Sequence, residues 1–308
     1  MQMFEPSQDD AAGLSDPFAD VAAQARATGG FFHDLGHHAV AHLPIGAPRL
    51  VLSFDNLASR REAGSRFPWG HAALAAMGWD VLGIMVRRPD WFREAALWDL
   101  MDSLRDEGFF ARYGAVATYG ASMGGYGAAV FAPMAPGCTV LAFAPQSTLN
   151  PALAPFETRY RYGRGLGDWD DPRSDAAEAI RAAGRAYVAA DPLVPEDACH
   201  LRRLDGANVL RLEMPGLGHK MPPALRKMNI LKPLVAAALS GDLDAARFHS
   251  LYRARRQSVP WLVSMLERAR QKGHVALALR AAEREYAARP HWRLRAQRNA
   301  LRTAAADQ

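Results

Sequence analysis

The sequence predicts an α/β fold: a mostly parallel β-sheet with helices on both faces, followed by a small all-helical extension. Three observations carry this. Short apolar runs recur from His38 onward, segments of helical period lie between most of them, and the runs stop after Leu234. Strands alternating with helices are the pattern of βαβ units.

The apolar runs are His38–Leu43, Leu50–Phe54, Val81–Val86, Ala115–Tyr119, Thr139–Ala144, Ala186–Ala190 and Val209–Met214. Most lack polar/apolar alternation, which marks strands buried on both faces. The helical segments are His71–Met77, Trp91–Glu107, Gly124–Phe131 and Ser174–Ala183. The aromatic residues Trp91, Phe92, Trp98, Phe109 and Phe110 fit core-facing positions there. Residues 1–30 offer little to bury beyond one helix around Asp20–Ala27 and read as an N-terminal extension. The main domain spans 31–235. Within it, residues 146–184 form a connection far longer than an ordinary loop, holding Phe156, Tyr160, Tyr162 and Trp169 among Arg159, Arg161 and Arg164. Such an excursion has the character of a lid, and its arginines would suit a negatively charged acyl or leaving group.

Residues 236–308 read as a basic helical extension. Gly241 and Gly273 each open an amphipathic segment, 32 residues apart, and Pro290 follows. The spacing resembles the tetratricopeptide repeat, a helical hairpin that stacks into peptide-binding grooves. Glu285 departs from the small residue which that pattern prefers. The resemblance implies a surface for a protein partner.

Composition narrows the function. Apolar residues make up 49% and charged residues 22% of the 308-residue chain, which excludes a disordered protein. No stretch reaches the eighteen or so apolar residues of a membrane span. The N-terminal residues lack a basic segment followed by an apolar one, so no secretory signal is expected. Cys138 and Cys199 cannot build a disulfide framework, and a cytoplasmic location with reduced thiols is expected. The net charge of +5 is unevenly spread: residues 241–308 hold 14 Lys and Arg against 6 Asp and Glu, net +8, which leaves −3 for residues 1–240. The larger part is mildly acidic, so nucleic acid is not an expected partner. No glycine-rich phosphate motif follows the first strand, and no cofactor is expected. His33, Asp34, His37, His38 and His42 cluster in sequence, with His33 and His37 on one face if helical, yet no third ligand is placed and no metal is expected.

The most informative run is Val116-Ala117-Thr118-Tyr119-Gly120-Ala121-Ser122-Met123-Gly124-Gly125-Tyr126-Gly127. It places Gly120-x-Ser122-x-Gly124 between a strand and a helix. A serine on so tight a turn is lifted above the sheet edge, and the first amides of the next helix face the space beside it. This stretch resembles the nucleophile elbow of the α/β-hydrolase superfamily, in the Gly-x-Ser-Met-Gly-Gly form common among its esterases and acyl hydrolases. By strand order the resemblance covers residues 35–235. It implies a serine hydrolase or acyltransferase on a small-molecule acyl substrate, with partners in the chain order serine, acid, histidine.

His219 lies in Pro215-Gly216-Leu217-Gly218-His219, directly after the last strand, and is the expected base. His200 reads as a solvent-facing helix residue, and His249, His274 and His291 as surface residues of the tail. The expected acid is Asp191, at the end of the penultimate strand; Asp197 and Glu196 are the alternatives, unless they cap the following helix. The oxyanion hole is expected from the amide of Met123 and one from the loop after Phe54, with Asn56 ahead of Leu57. Asp55 departs from the superfamily's His-Gly pair here, and is expected to turn away toward Arg60 or Arg61.

Overall fold

The computed structural model describes residues 16–59 and 64–306. Helix α1 (Ala19–Ala27) precedes β1 (Phe32–Asp34), β2 (His38–Leu43) and β3 (Arg49–Phe54). Then follow α2 (His71–Ala75), β4 (Asp80–Val86), α3 (Ala95–Asp106), β5 (Ala115–Ala121), α4 (Met123–Val130) and β6 (Thr139–Phe143). The long connection holds only α5 (Arg161–Arg164), α6 (Ala176–Ala179) and short 3₁₀ turns before β7 (Arg185–Ala190). The remainder is α7 (Pro195–Arg203), β8 (Val209–Glu213), α8 (Met221–Lys227), α9 (Leu231–Leu239), α10 (Ala245–Tyr252), α11 (Val259–Gln271), α12 (Val275–Ala288) and α13 (Trp292–Ala306).

The strands form one sheet in the order β1-β2-β4-β3-β5-β6-β7-β8. The β1–β2 and β2–β4 pairs are antiparallel, and β4–β3, β3–β5, β5–β6, β6–β7 and β7–β8 are parallel. Successive side chains of a strand point to opposite faces. Leu50, Leu52 and Phe54 of β3 therefore join Val140 and Ala142 of β6 in one core under α3 and α4. Val51, Tyr119, Leu141 and Phe143 face the opposite core, closed by α2, α8, α9 and α10. Both faces being covered is why these strands read as unbroken apolar runs.

The edge strand β1 is absent from the sequence reading because Phe32-His33-Asp34 is short and largely polar; it exists by pairing Phe32 with Ala41 of β2. Residues 16–30 are integral to the sheet's antiparallel end. Phe18, Val21 and Ala25 pack against Ala39, Ala41, Leu43 and Met85.

The glycines that open the repeat-like segments both have positive φ, +74° at Gly241 and +80° at Gly273, and each reverses the chain between two helices. The two units are not equivalent. Phe248 and Tyr252 of α10 belong to the sheet's core, whereas Leu266, Val275, Ala278, Ala282, Leu294 and Leu301 make a separate core of α11, α12 and α13. The recurrence is thus one of helix-terminating glycines.

Candidate active site

Ser122 connects β5 to α4 with φ 56° and ψ −120°, a left-sided backbone that costs a non-glycine residue energy and marks a site held by its surroundings. Its N–H donates to Phe143 O at 2.8 Å. The flanking glycines serve close approach. A Cβ on Gly120 would stand 2.0 Å from Gly124 O, and one on Gly124 would stand 2.5 Å from Phe54 O and 2.7 Å from Asp55 O. The loop after β3 is thereby pressed against the start of α4, beside the Met123 amide.

Ser122 Oγ lies 2.8 Å from His219 Nε2. The other ring nitrogen, Nδ1, lies 2.9 and 3.0 Å from the two carboxylate oxygens of Asp197. Serine, imidazole and a buried carboxylate thus form one hydrogen-bonded series. An imidazole so held can accept a proton at Nε2 while the carboxylate keeps the Nδ1 proton in place.

The structure brings Ser122 and His219 together, and the carboxylate at the imidazole is Asp197, not the expected Asp191. Asp191 does not meet His219. Its Oδ2 accepts from Gly216 N at 3.0 Å and Gly218 N at 2.7 Å, and its Oδ1 from Leu193 N at 2.9 Å. Asp191 sits too early, so its carboxylate is consumed in holding the backbone of the histidine loop. Pro195 starts α7 and places Asp197 in its first turn, where an acid reads as a complement to the helix dipole. Glu196, beside it, is only partly buried and has no hydrogen bond to His219 among those of the described residues.

Asn56 sits in the loop after β3. Its side chain accepts from Ala58 N at 2.8 Å, an Asx turn, and its own N–H reaches Ser59 Oγ only at a long 3.4 Å. Asp55 is buried against Arg66 and the Val86 amide, so its charge is directed into the protein. Arg60 and Arg61 lie outside the described residues.

Two residues of the insertion reach the site, Tyr160 at His219 and Arg159 at Asp197. Tyr160 Oη is 3.1 Å from His219 Nε2, its ring packs 5.2 Å from Trp91, and burial raises its phenol pKa. Arg159 binds Asp197 and Glu157. Of the three arginines, Arg159 is engaged with these two carboxylates, Arg164 donates to Ala154 O at 2.7 Å, and Arg161 is exposed. His200 does not face solvent either; it is fully buried. The one signal for these contacts was the density of aromatic and basic residues in 156–164.

The histidine cluster disperses because its segment is a β-hairpin, not a helix. Asp34 pairs with Arg87, and His42 Nε2 meets Tyr113 Oη at 2.8 Å. His38 Nδ1 lies 2.9 Å from Glu94 Oε2, and Nε2 lies 2.9 Å from Asp90 Oδ1, near enough for an ion pair though not aligned for a hydrogen bond. Among the described residues, His38, Asp90 and Glu94 are the group whose ligand atoms come within 4.8 Å of one another. Both imidazole nitrogens already face carboxylates, which suits an imidazolium. Burial works against that charge, but the two acids outweigh it and raise the His38 pKa.

The C-terminal helices grip the loop that carries His219. Pro215 O accepts from Trp261 Nε1 at 2.7 Å and from Tyr252 Oη at 3.1 Å, and a Cβ on Gly216 would meet Met265 Sδ at 2.7 Å. Trp261→Phe removes one donor, a net effect of about 1 kcal/mol. Faster amide hydrogen exchange at Gly216 and Gly218, by roughly fivefold, is the expected result.

The strand order, the run of parallel strands from β4 to β8 and the serine turn after β5 together define an α/β-hydrolase fold. No known family and no curated protein matches the sequence. Distant likenesses appear among solved structures. One is a chain of the glycosylation-associated Gap123 complex of Streptococcus agalactiae (16% identity, TM-score 0.48), which covers 69% of this chain and 46% of that one. This chain thus spans less than half of that relative. A Pyrococcus furiosus esterase has 13% identity and a TM-score of 0.44, covering 70% of this chain and 94% of its own. The capsule O-acetyltransferase of Neisseria meningitidis serogroup A has 9% identity and a TM-score of 0.44, covering 66% and 93%. Among the described residues no helix is long and apolar enough to cross a membrane.

Proposed function

We propose that the chain is a serine hydrolase that cleaves an ester or related acyl bond. The observation that carries this is the 2.8 Å contact of Ser122 Oγ with His219 Nε2, continued through Nδ1 to Asp197. In this reading His219 takes the hydroxyl proton as Ser122 Oγ bonds to the carbonyl carbon. The amides of Met123 and Asn56 receive the negative oxygen of the tetrahedral intermediate, the first with the dipole of α4 behind it. Collapse breaks the ester bond, and His219 returns the proton to the departing oxygen. Water, its proton passing to His219, then adds to the acyl carbon; the bond to Ser122 Oγ breaks, His219 returns the proton to Oγ, and the carboxylic acid leaves.

Transfer to an alcohol instead of water is the second reading, and Tyr160 favours it. Its hydroxyl stands 3.1 Å from Nε2, where the acceptor must stand to give up its proton. A lid residue in that place keeps water off the base until an acceptor displaces it. In this reading a protein partner would meet the C-terminal helices, and the protein would work in the cytoplasm.

Intact-mass measurement after treatment with a fluorophosphonate tests the reading. One adduct per wild-type chain, and none on folded Ser122→Ala or His219→Ala, is the expected result. A folded wild-type protein that takes up no label would overturn it.

A further inference from the structure

Behind Asp197 runs a second series of polar groups, none of which the proposed reaction uses. Arg159 Nη1 donates to Asp197 Oδ1 at 2.8 Å, while Nη2 donates to Glu157 Oε2 at 2.6 Å and Nε to the same carboxylate at 3.1 Å. Glu157 has no exposed surface. It accepts from His200, whose Nε2 lies 3.0 Å from Glu157 Oε2. The backbone N–H of Ser147 donates to His200 Nδ1 at 3.0 Å, so the imidazole's own proton must be on Nε2, facing Glu157. Burial lowers the His200 pKa, with Glu157 opposing, and the ring adds no charge at neutral pH. Burial also pushes Glu157 up, but the hydrogen bonds from His200 and Arg159 outweigh it and bring it down to about 2.

The layers behind His219 therefore alternate in charge: Asp197 negative, Arg159 positive, Glu157 negative. A carboxylate beside an imidazole favours the imidazolium, a cation on that carboxylate works against it, and an anion behind the cation offsets the cation. The other charged or titratable groups around the ring are Tyr160 from the insertion, Asp191 from the end of β7 through the loop amides, and its chain neighbour Lys220. None of them touches Asp197 as Arg159 does.

We infer that Arg159 and Glu157 are positioning residues acting on His219 through Asp197 with opposite signs: Arg159 holds the imidazole in its neutral, proton-accepting form, and Glu157 limits that effect. This inference rests on the reading of His219 as the base. It also assigns the insertion a purpose beyond covering the site, since the segment that carries Tyr160 is the one that completes the electrostatics behind the base.

The test is a pH titration of the imidazole nitrogens by long-range ¹H–¹⁵N NMR on the full-length wild type, Arg159→Gln, Arg159→Lys and Glu157→Gln. The His219 midpoint is expected to move in opposite directions in the two neutral variants, up in Arg159→Gln and down in Glu157→Gln. Arg159→Lys keeps the charge and should stay near wild type, while its fluorophosphonate labelling slows because one ammonium cannot bridge two carboxylates. A role in packing alone moves both neutral variants the same way or neither, and either outcome overturns the inference. Should Arg159→Gln fail to fold, the sign of the shift in Glu157→Gln decides alone. The titration needs no turnover. Opposite shifts in a wild type that resists labelling would remove the hydrolase reading and keep the coupling; labelling without shifts would do the reverse.

Discussion

Asp197→Asn is expected to lower kcat on a simple aryl ester by roughly 10³- to 10⁴-fold with little change in melting temperature. The amide cannot hold the Nδ1 proton as a carboxylate does, so the imidazole loses the tautomer that leaves Nε2 free to accept from Ser122. The fold should tolerate the change, because Arg159 keeps Glu157 as its anion. Asp191→Asn is expected to behave in the opposite way. Its carboxylate receives three backbone N–H groups, and charge-assisted bonds of that kind are worth more than neutral ones. A loss of about 2 kcal/mol, or a melting temperature lower by roughly 5 °C, should come with only a modest change in kcat per folded molecule. Steady-state rates and thermal melts on the two variants separate the roles. If the folded Asp191 variant shows the larger drop in kcat, Asp197 is not the acid.

His38→Leu is expected to be strongly destabilising, by about 3 kcal/mol near pH 6. His38 is buried on β2, and its removal leaves Asp90, also buried, facing Glu94 without a cation between them. The lower end of the range for a broken buried pair applies because Glu94 is 27% exposed and water can screen it. The pH dependence has a definite sign. Folding raises the His38 pKa above its ordinary value of 6.5, so its contribution is complete below that value and is lost as pH climbs through the folded-state one. The gap between wild type and His38→Leu should therefore narrow from pH 6 to pH 9 in urea denaturation. A gap that stays constant or widens would mean that the ring sits between the acids uncharged. The consequence reaches the site, since Asp90 precedes Trp91 and Phe92, both at positive φ, and Trp91 supports Tyr160.

The parts of this protein that could be read from sequence are those whose physics is local. Strands covered on both faces must be apolar throughout, and the serine turn must carry small residues at Gly120 and Gly124 because backbone occupies the space a Cβ would need. His219 was legible for a related reason: Gly216 and Gly218, both at positive φ, bend the chain directly after a strand. Which carboxylate meets His219 was not, because Asp191 and Asp197 flank the same strand-to-helix connection and only the path of the loop decides between them. Contacts such as Arg159–Asp197 and Glu157–His200 join residues 38 and 43 positions apart, and no spacing rule connects the long insertion to a helix at that range. The 32-residue recurrence does not by itself fix a repeat, because a helix-ending glycine looks alike whether its helices stack in an array or fold onto a sheet.

The double grip on Pro215 O has a consequence for how this protein should fail. Tyr252 belongs to the sheet's core, whereas Trp261 belongs to the helices that have a core of their own. The smaller core is the natural candidate to open first on heating, as an independent cooperative unit. When it does, one of the two donors leaves the loop while the eight strands are still paired. Heat inactivation should then run ahead of loss of β-structure, and recover on cooling. Of the seven tryptophans, Trp261 is the one whose indole bridges the two units, so its fluorescence should track the earlier event.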